Sequence, residues 1–83
     1  MESLTFLTLK EHVYEIRNIQ NFKKFENIIG KIFNTANSSL DDEEFIKFLE
    51  YLYDTLDVIH NTSSNFVQVE LCVELMKSIA PHF

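Results

Sequence analysis

Gly30 and Pro81 are the single glycine and the single proline of an 83-residue chain. That scarcity limits the fold more than any other feature. Sandwiches and barrels reverse direction about every 8–12 residues and draw on Gly and Pro to do so. A many-stranded fold is therefore disfavoured. The chain must turn instead on its Asn- and Ser-rich stretches, residues 18–21, 34–39 and 60–65.

Between those stretches the apolar residues recur at helical spacing. Thr8 and Glu11 form a capping-box pattern, followed by Leu9, Val13 and Ile16, which predicts a first helix over about residues 9–18. Asn21 is placed to cap a second helix, in which Phe22, Phe25, Ile29, Ile32 and Phe33 fall within about 100° on a helical wheel. Lys23, Lys24, Asn27 and Lys31 lie opposite. Gly30 costs this helix about 1 kcal/mol relative to Ala, and is expected at a close helix crossing. The third helix carries the cleanest stripe: Phe45, Leu49, Leu52, Leu56 and Ile59, widened by Phe48 and Tyr53.

The last segment reads two ways. Phe66, Val69, Val73, Met76 and Ala80 make a helical stripe, yet Val67, Val69, Leu71, Val73 and Leu75 alternate with Gln68, Glu70, Cys72 and Glu74 as in a strand. An unbroken length of about fifteen residues favours a helix, ended by Pro81, with Asn65 and Gln68 as a capping pair. Such a helix is apolar around most of its circumference and is expected to sit centrally. With 46% hydrophobic residues, eight Phe and three Tyr, the chain can build a core at this length. The expected fold is all-α, a compact antiparallel bundle of about four helices, in one domain spanning residues 1–83.

Residues 34–52, NTANSSLDDEEFIKFLEYL, resemble a calcium loop running into its exit helix. With Glu44 as the twelfth loop position, however, Phe33 stands first, where an oxygen ligand is needed, and Ser38 stands where the loop requires Gly. The stretch instead reads as a helix start. Ser39 is the expected cap with Asp42 three residues on, and Asp41 to Glu44 set carboxylates against the positive end of the helix dipole.

Net charge is −6, and seven acids with the single base Lys47 concentrate it on residues 41–57. This argues against a nucleic-acid backbone or an anionic membrane as partner. Glu43, Glu50, Asp54 and Asp57 cluster within about 60° on the outer face of the third helix. Two readings account for them. One is a solvated face partly answered by Lys23, Lys24 and Lys31; the other is a docking surface for a basic protein. Aromatics too numerous for a small core, Phe6, Tyr14, Phe22, Phe25, Phe48, Tyr51, Tyr53 and Phe83, offer further interface candidates. Phe6 is expected outside any helix, and Tyr51 off the main stripe.

Nothing in the chain carries recognisable catalytic chemistry. His12, His60 and His82 stand apart with no metal-ligand spacing, and Cys72, alone in an apolar segment, reads as a core residue. No phosphate loop or nucleophile elbow is present, so no catalytic, cofactor or metal residue is assigned and an enzyme is not expected. No apolar run approaches the length of a membrane span, and residues 1–12 do not read as a leader. Asn37 and Asn61 match a glycosylation acceptor pattern but read as plain loop residues. The expectation is a reduced, cytoplasmic protein.

The functional expectation is a protein-binding module of inhibitor, immunity or antitoxin type, with Glu43, Glu50, Tyr51, Asp54 and Asp57 at the partner surface. The alternative is a structural homo-oligomer or assembly subunit. The acidic start of the third helix resembles that of the nuclease-colicin immunity proteins, which are also small, acidic and helical. Those carry a Tyr-Tyr-Pro element after the acidic helix start, where this chain has His-Asn-Thr-Ser-Ser-Asn. The resemblance is therefore one of class and assigns no residue.

Overall fold

Four short polar side chains set the helix starts. The computed structural model describes residues 3–19 and 21–82. Helix α1 spans Leu4–Glu15, α2 Phe22–Ser39, α3 Asp42–Thr62 and α4 Phe66–Ile79; 3₁₀ turns at Ile16–Asn18 and Ala80–His82 extend α1 and α4. Ser3 Oγ accepts from Phe6 N (3.1 Å), Asn21 Oδ1 from Lys24 N (3.0 Å) and Asp41 Oδ1 from Glu44 N (2.8 Å). Asn65 Oδ1 accepts from both Val67 N and Gln68 N, at 3.1 and 3.2 Å. Each satisfies amide hydrogens that have no partner within the helix. No strand occurs among the described residues. The fold is the expected all-α bundle, and the strand alternative for residues 67–75 is overturned by helix α4.

Several expected boundaries move. Helix α1 begins at Leu4, capped by Ser3 rather than Thr8, and so takes in Phe6. Residues 34–39 are the last turns of α2, not a loop, because Ala36 is fully buried and holds them on the core. Asn37 is accordingly helical, Asn61 lies in the last turn of α3 rather than in a loop, and residues 34–39 form no calcium loop. Ser39 ends α2 and Asp41 caps α3, so the Ser39–Asp42 capping pair does not form.

The helices alternate up and down. Phe33, near the end of α2, meets Phe45 at the start of α3, with ring centroids 6.1 Å apart. Phe45 also lies against His82, just beyond α4, at 6.4 Å. Consequently α1 and α3 run parallel. Ser3 N donates to Glu44 Oε2 (2.7 Å) at one end, and Phe6 packs edge-on against Phe48 (6.5 Å). Helices α2 and α3 each touch the other three helices, α3 most extensively through its contact with α4. The radius of gyration, 12.2 Å, is close to the roughly 12 Å expected of a compact chain this long.

The core follows helical spacing on α1 (Phe6, Leu9, Val13, with Ile16 in the following turn), α2 (Phe25, Ile29, Ile32, Ala36) and α3 (Phe48, Leu49, Leu52, Leu56, Ile59). Helix α4 departs from expectation. Its buried residues are Gln68, Cys72 and Ile79, while Phe66 is 73% exposed, Ala80 is exposed, and Val69, Val73 and Met76 are half-buried. It packs along one side of α3 rather than centrally. Gly30 is exposed, and a Cβ added there would meet nothing within 4 Å, so no close helix crossing uses it.

Candidate protein-binding surface

The 21 residues of α3 make a rod about 31 Å long at 1.5 Å per residue. One side is locked into the core by Phe48, Leu49, Leu52 and Leu56, each at most 1% exposed. On the other side Glu43, Glu50, Asp54 and Asp57 are all exposed, a ridge of carboxylates extending about 21 Å along the axis. The buried stripe fixes this ridge: the helix cannot rotate without withdrawing Leu52 and Leu56.

Neutralisation of the ridge is slight. Lys47 Nζ lies 3.6 Å from Glu43 Oε1 one turn away, with both side chains mostly in solvent. Pairs of this kind contribute about 0.3–0.5 kcal/mol. Lys23, Lys24 and Lys31 of α2 are exposed and form no ion pair with α3 among the described residues. The expected compensation by α2 is therefore not made.

Of the three remaining acids of the segment, Asp42 is exposed and the other two have structural partners. Asp41 caps α3, and Glu44 receives the Ser3 amide hydrogen. Tyr51, expected at the same surface, is set apart from the ridge. It is half-buried beside α1, with Lys10 Nζ 5.2 Å from its ring centroid and 5.4 Å from that of Phe6. Glu43, Glu50, Asp54 and Asp57 thus share one face; Tyr51 stands at its flank, where a cation already covers the ring.

The aromatics divide unevenly. Phe6, Phe25 and Phe48 are buried, Phe22, Tyr51 and Tyr53 are half-buried, and Tyr14 is 56% exposed with Arg17 stacked over its ring at 4.9 Å. Phe83 lies outside the described residues. The exposed apolar side chains that sequence reasoning missed are Leu4 (80%), Phe66 (73%) and Val67 (50%), with Leu7 and Val58 less so. A signal for Phe6 was available: its spacing to Leu9, Val13 and Ile16 is helical. None was available for Phe66, since the helical stripe proposed for α4 included it.

Recesses also open among the described residues. A largely apolar groove of about 560 Å³ runs between α1 and α2, lined in part by Leu9, Ile28, Ile32 and Lys31. A polar hollow of about 600 Å³ lies between Arg17 and the turn from α3 to α4. A shallower one of about 270 Å³ between α3 and α4 includes Asp57, His60 and Lys77. His12, His60 and His82 are dispersed, and among the described residues no group of three His, Cys, Asp or Glu could hold a metal ion. Cys72 is fully buried; loss of solvation raises its thiol from an ordinary 9.0 to about 11. A thiol so held is a poor nucleophile. No helix among the described residues is long and apolar enough to cross a membrane. Comparison with known protein families, curated proteins and solved structures finds no match.

Proposed function

We propose that this chain is a non-enzymatic, cytoplasmic protein-binding module that captures a basic protein through α3, in the manner of an inhibitor, immunity or antitoxin factor. The observation that carries this reading is the ridge of Glu43, Glu50, Asp54 and Asp57. It is exposed, scarcely neutralised and held rigid by the core behind it. A preorganised charged surface accelerates encounter with an oppositely charged partner and disfavours others. Tyr51, at the flank, contributes apolar contact once the partner displaces or shares Lys10.

Capture from native lysate at low and high salt, with bound proteins identified by mass spectrometry, tests the proposal. Glu50→Lys with Asp54→Lys should leave the helical spectrum unchanged and abolish capture of the basic partner. Undiminished capture by that variant removes the ridge from the interface.

The exposed neighbours Phe66 and Val67 favour a second reading, a homo-oligomer that covers them with a copy of the chain. A mass in solution that rises with concentration, unaffected by the charge reversal, would select it.

A further inference from the structure

We infer that Ser39 is a phosphoacceptor for an acid-directed serine kinase. Kinases choose substrates partly by the charge pattern around the acceptor, and acid-directed ones set a basic cleft against a carboxylate three residues beyond the hydroxyl. Among the serines and threonines of the chain, Thr8, Ser38 and Ser39 alone meet that spacing, with Glu11, Asp41 and Asp42 respectively.

The structure separates the three. Thr8 lies inside α1, and Lys10 two residues on would oppose a basic cleft. Ser38 donates its hydroxyl to the carbonyls of Asn34 (3.0 Å) and Thr35 (3.3 Å) within α2. Ser39 is exposed, ends α2, and its hydroxyl has no hydrogen-bond partner among the described residues. Because Asp41 caps α3 instead, the Ser39 hydroxyl has no structural duty.

Directly beyond Ser39 the backbone is already extended, at Leu40 (φ −97°, ψ 146°) and Asp41 (φ −72°, ψ 173°). That is the conformation in which a substrate crosses a kinase cleft. Asp42 and Glu43 follow, both exposed. Only the exposed end of α2, residues 37–39, must open to present the hydroxyl, and helix ends open at little cost. No Lys or Arg occurs between residues 32 and 38, so a base-directed kinase has nothing to read.

In the reaction Ser39 Oγ attacks the γ-phosphorus of ATP. The new O–P bond forms as the bond to the bridging oxygen breaks, ADP leaves, and the hydroxyl proton passes to the carboxylate base of the kinase. The product places about −1.5 to −2 of charge at the C-terminal end of α2, where the helix dipole disfavours an anion. Phosphorylation should therefore loosen the last turn of α2 and lower the melting temperature.

The test is incubation of the purified chain with a casein-kinase-type acid-directed kinase and Mg-ATP, with the site mapped by mass spectrometry. One phosphate on Ser39 is expected, absent from Ser39→Ala and retained in Ser38→Ala. Incorporation should slow about tenfold or more in Asp42→Asn/Glu43→Gln, whose fold is checked by circular dichroism. No incorporation, a phosphate on Ser38 or Thr8, or an undiminished rate in the neutralised variant overturns the assignment. Chain isolated from its native cells under phosphatase inhibition should carry the same phosphate; wholly unmodified Ser39 there overturns it as well.

Discussion

Gln68 Nε2 donates a 3.1 Å hydrogen bond to the backbone carbonyl of Ile19, joining the first turn of α4 to the end of α1 across 49 residues. Its other amide atom, Oε1, accepts from Ser63 Oγ at 2.7 Å. The side chain is 7% exposed, so both bonds are made away from bulk water. Gln68→Leu keeps the bulk but leaves the Ile19 carbonyl without its donor and the Ser63 hydroxyl without its acceptor, although Ser63 Oγ still accepts from Asn65 N at 3.1 Å. A loss of about 1–3 kcal/mol is expected, seen as a lower urea midpoint with unchanged slope. Gln68→Glu should be at least as damaging at neutral pH, since an ionised carboxylate cannot donate to the Ile19 carbonyl.

Gly30 sits in the interior of α2, exposed and with open space around its absent Cβ. Gly30→Ala should stabilise the protein by about 0.5–1 kcal/mol through the lower entropy of the unfolded chain. Thermal unfolding would register this as a higher midpoint.

The two candidate caps of α3 should behave differently. Asp41→Ala removes the 2.8 Å bond to Glu44 N and should cost about 0.5–2 kcal/mol. Ser39→Ala removes no bond and should fall within about 0.5 kcal/mol of the parent. Parallel urea titrations compare them.

Cys72 links stability to alkaline pH. Its folded thiol holds its proton until about pH 11, whereas the unfolded thiol releases it near the ordinary 9.0. Above pH 9 the unfolded state therefore binds fewer protons than the folded one, and stability falls as pH rises toward 11, by at most about 2–3 kcal/mol. Cys72→Ala should remove that part of the pH dependence. The native thiol should also resist a disulfide reagent at pH 8 and react on adding urea.

Local signals were legible in the sequence, and non-local ones were not. Asn21 and Asn65 announce helix starts because a cap acts on amides two or three residues away. The acidic ridge is readable for the same reason, since helical spacing alone puts Glu43, Glu50, Asp54 and Asp57 on one face. The Asn- and Ser-rich stretch 34–39 looks like a loop by propensity, but burial of Ala36 overrides propensity and keeps it helical. Helix α4 was misread in orientation because it is apolar on nearly every side, so periodicity does not select a face. Its buried face is the one bearing Gln68, which finds the Ile19 carbonyl 49 residues away. The contact of Tyr51 with Lys10 of α1 is non-local too, and no spacing within α3 announces it.

Helix α1 is tied at both ends to segments far along the chain. The Ser3 amide is bonded to Glu44 and the Ile19 carbonyl to Gln68, across 41 and 49 residues. The Ser63–Gln68 bond, by contrast, spans 5 residues. Closing the longer loop costs about 2 kcal/mol more in chain entropy than closing the shorter one. Folding order follows: α3 and α4 should collapse as a hairpin early, with Gln68 already held by Ser63, and α1 should dock last onto a finished surface. Because α1 is fastened at both ends, it leaves that surface as a whole rather than by peeling from one end. Its amide hydrogens should then exchange in a single cooperative event.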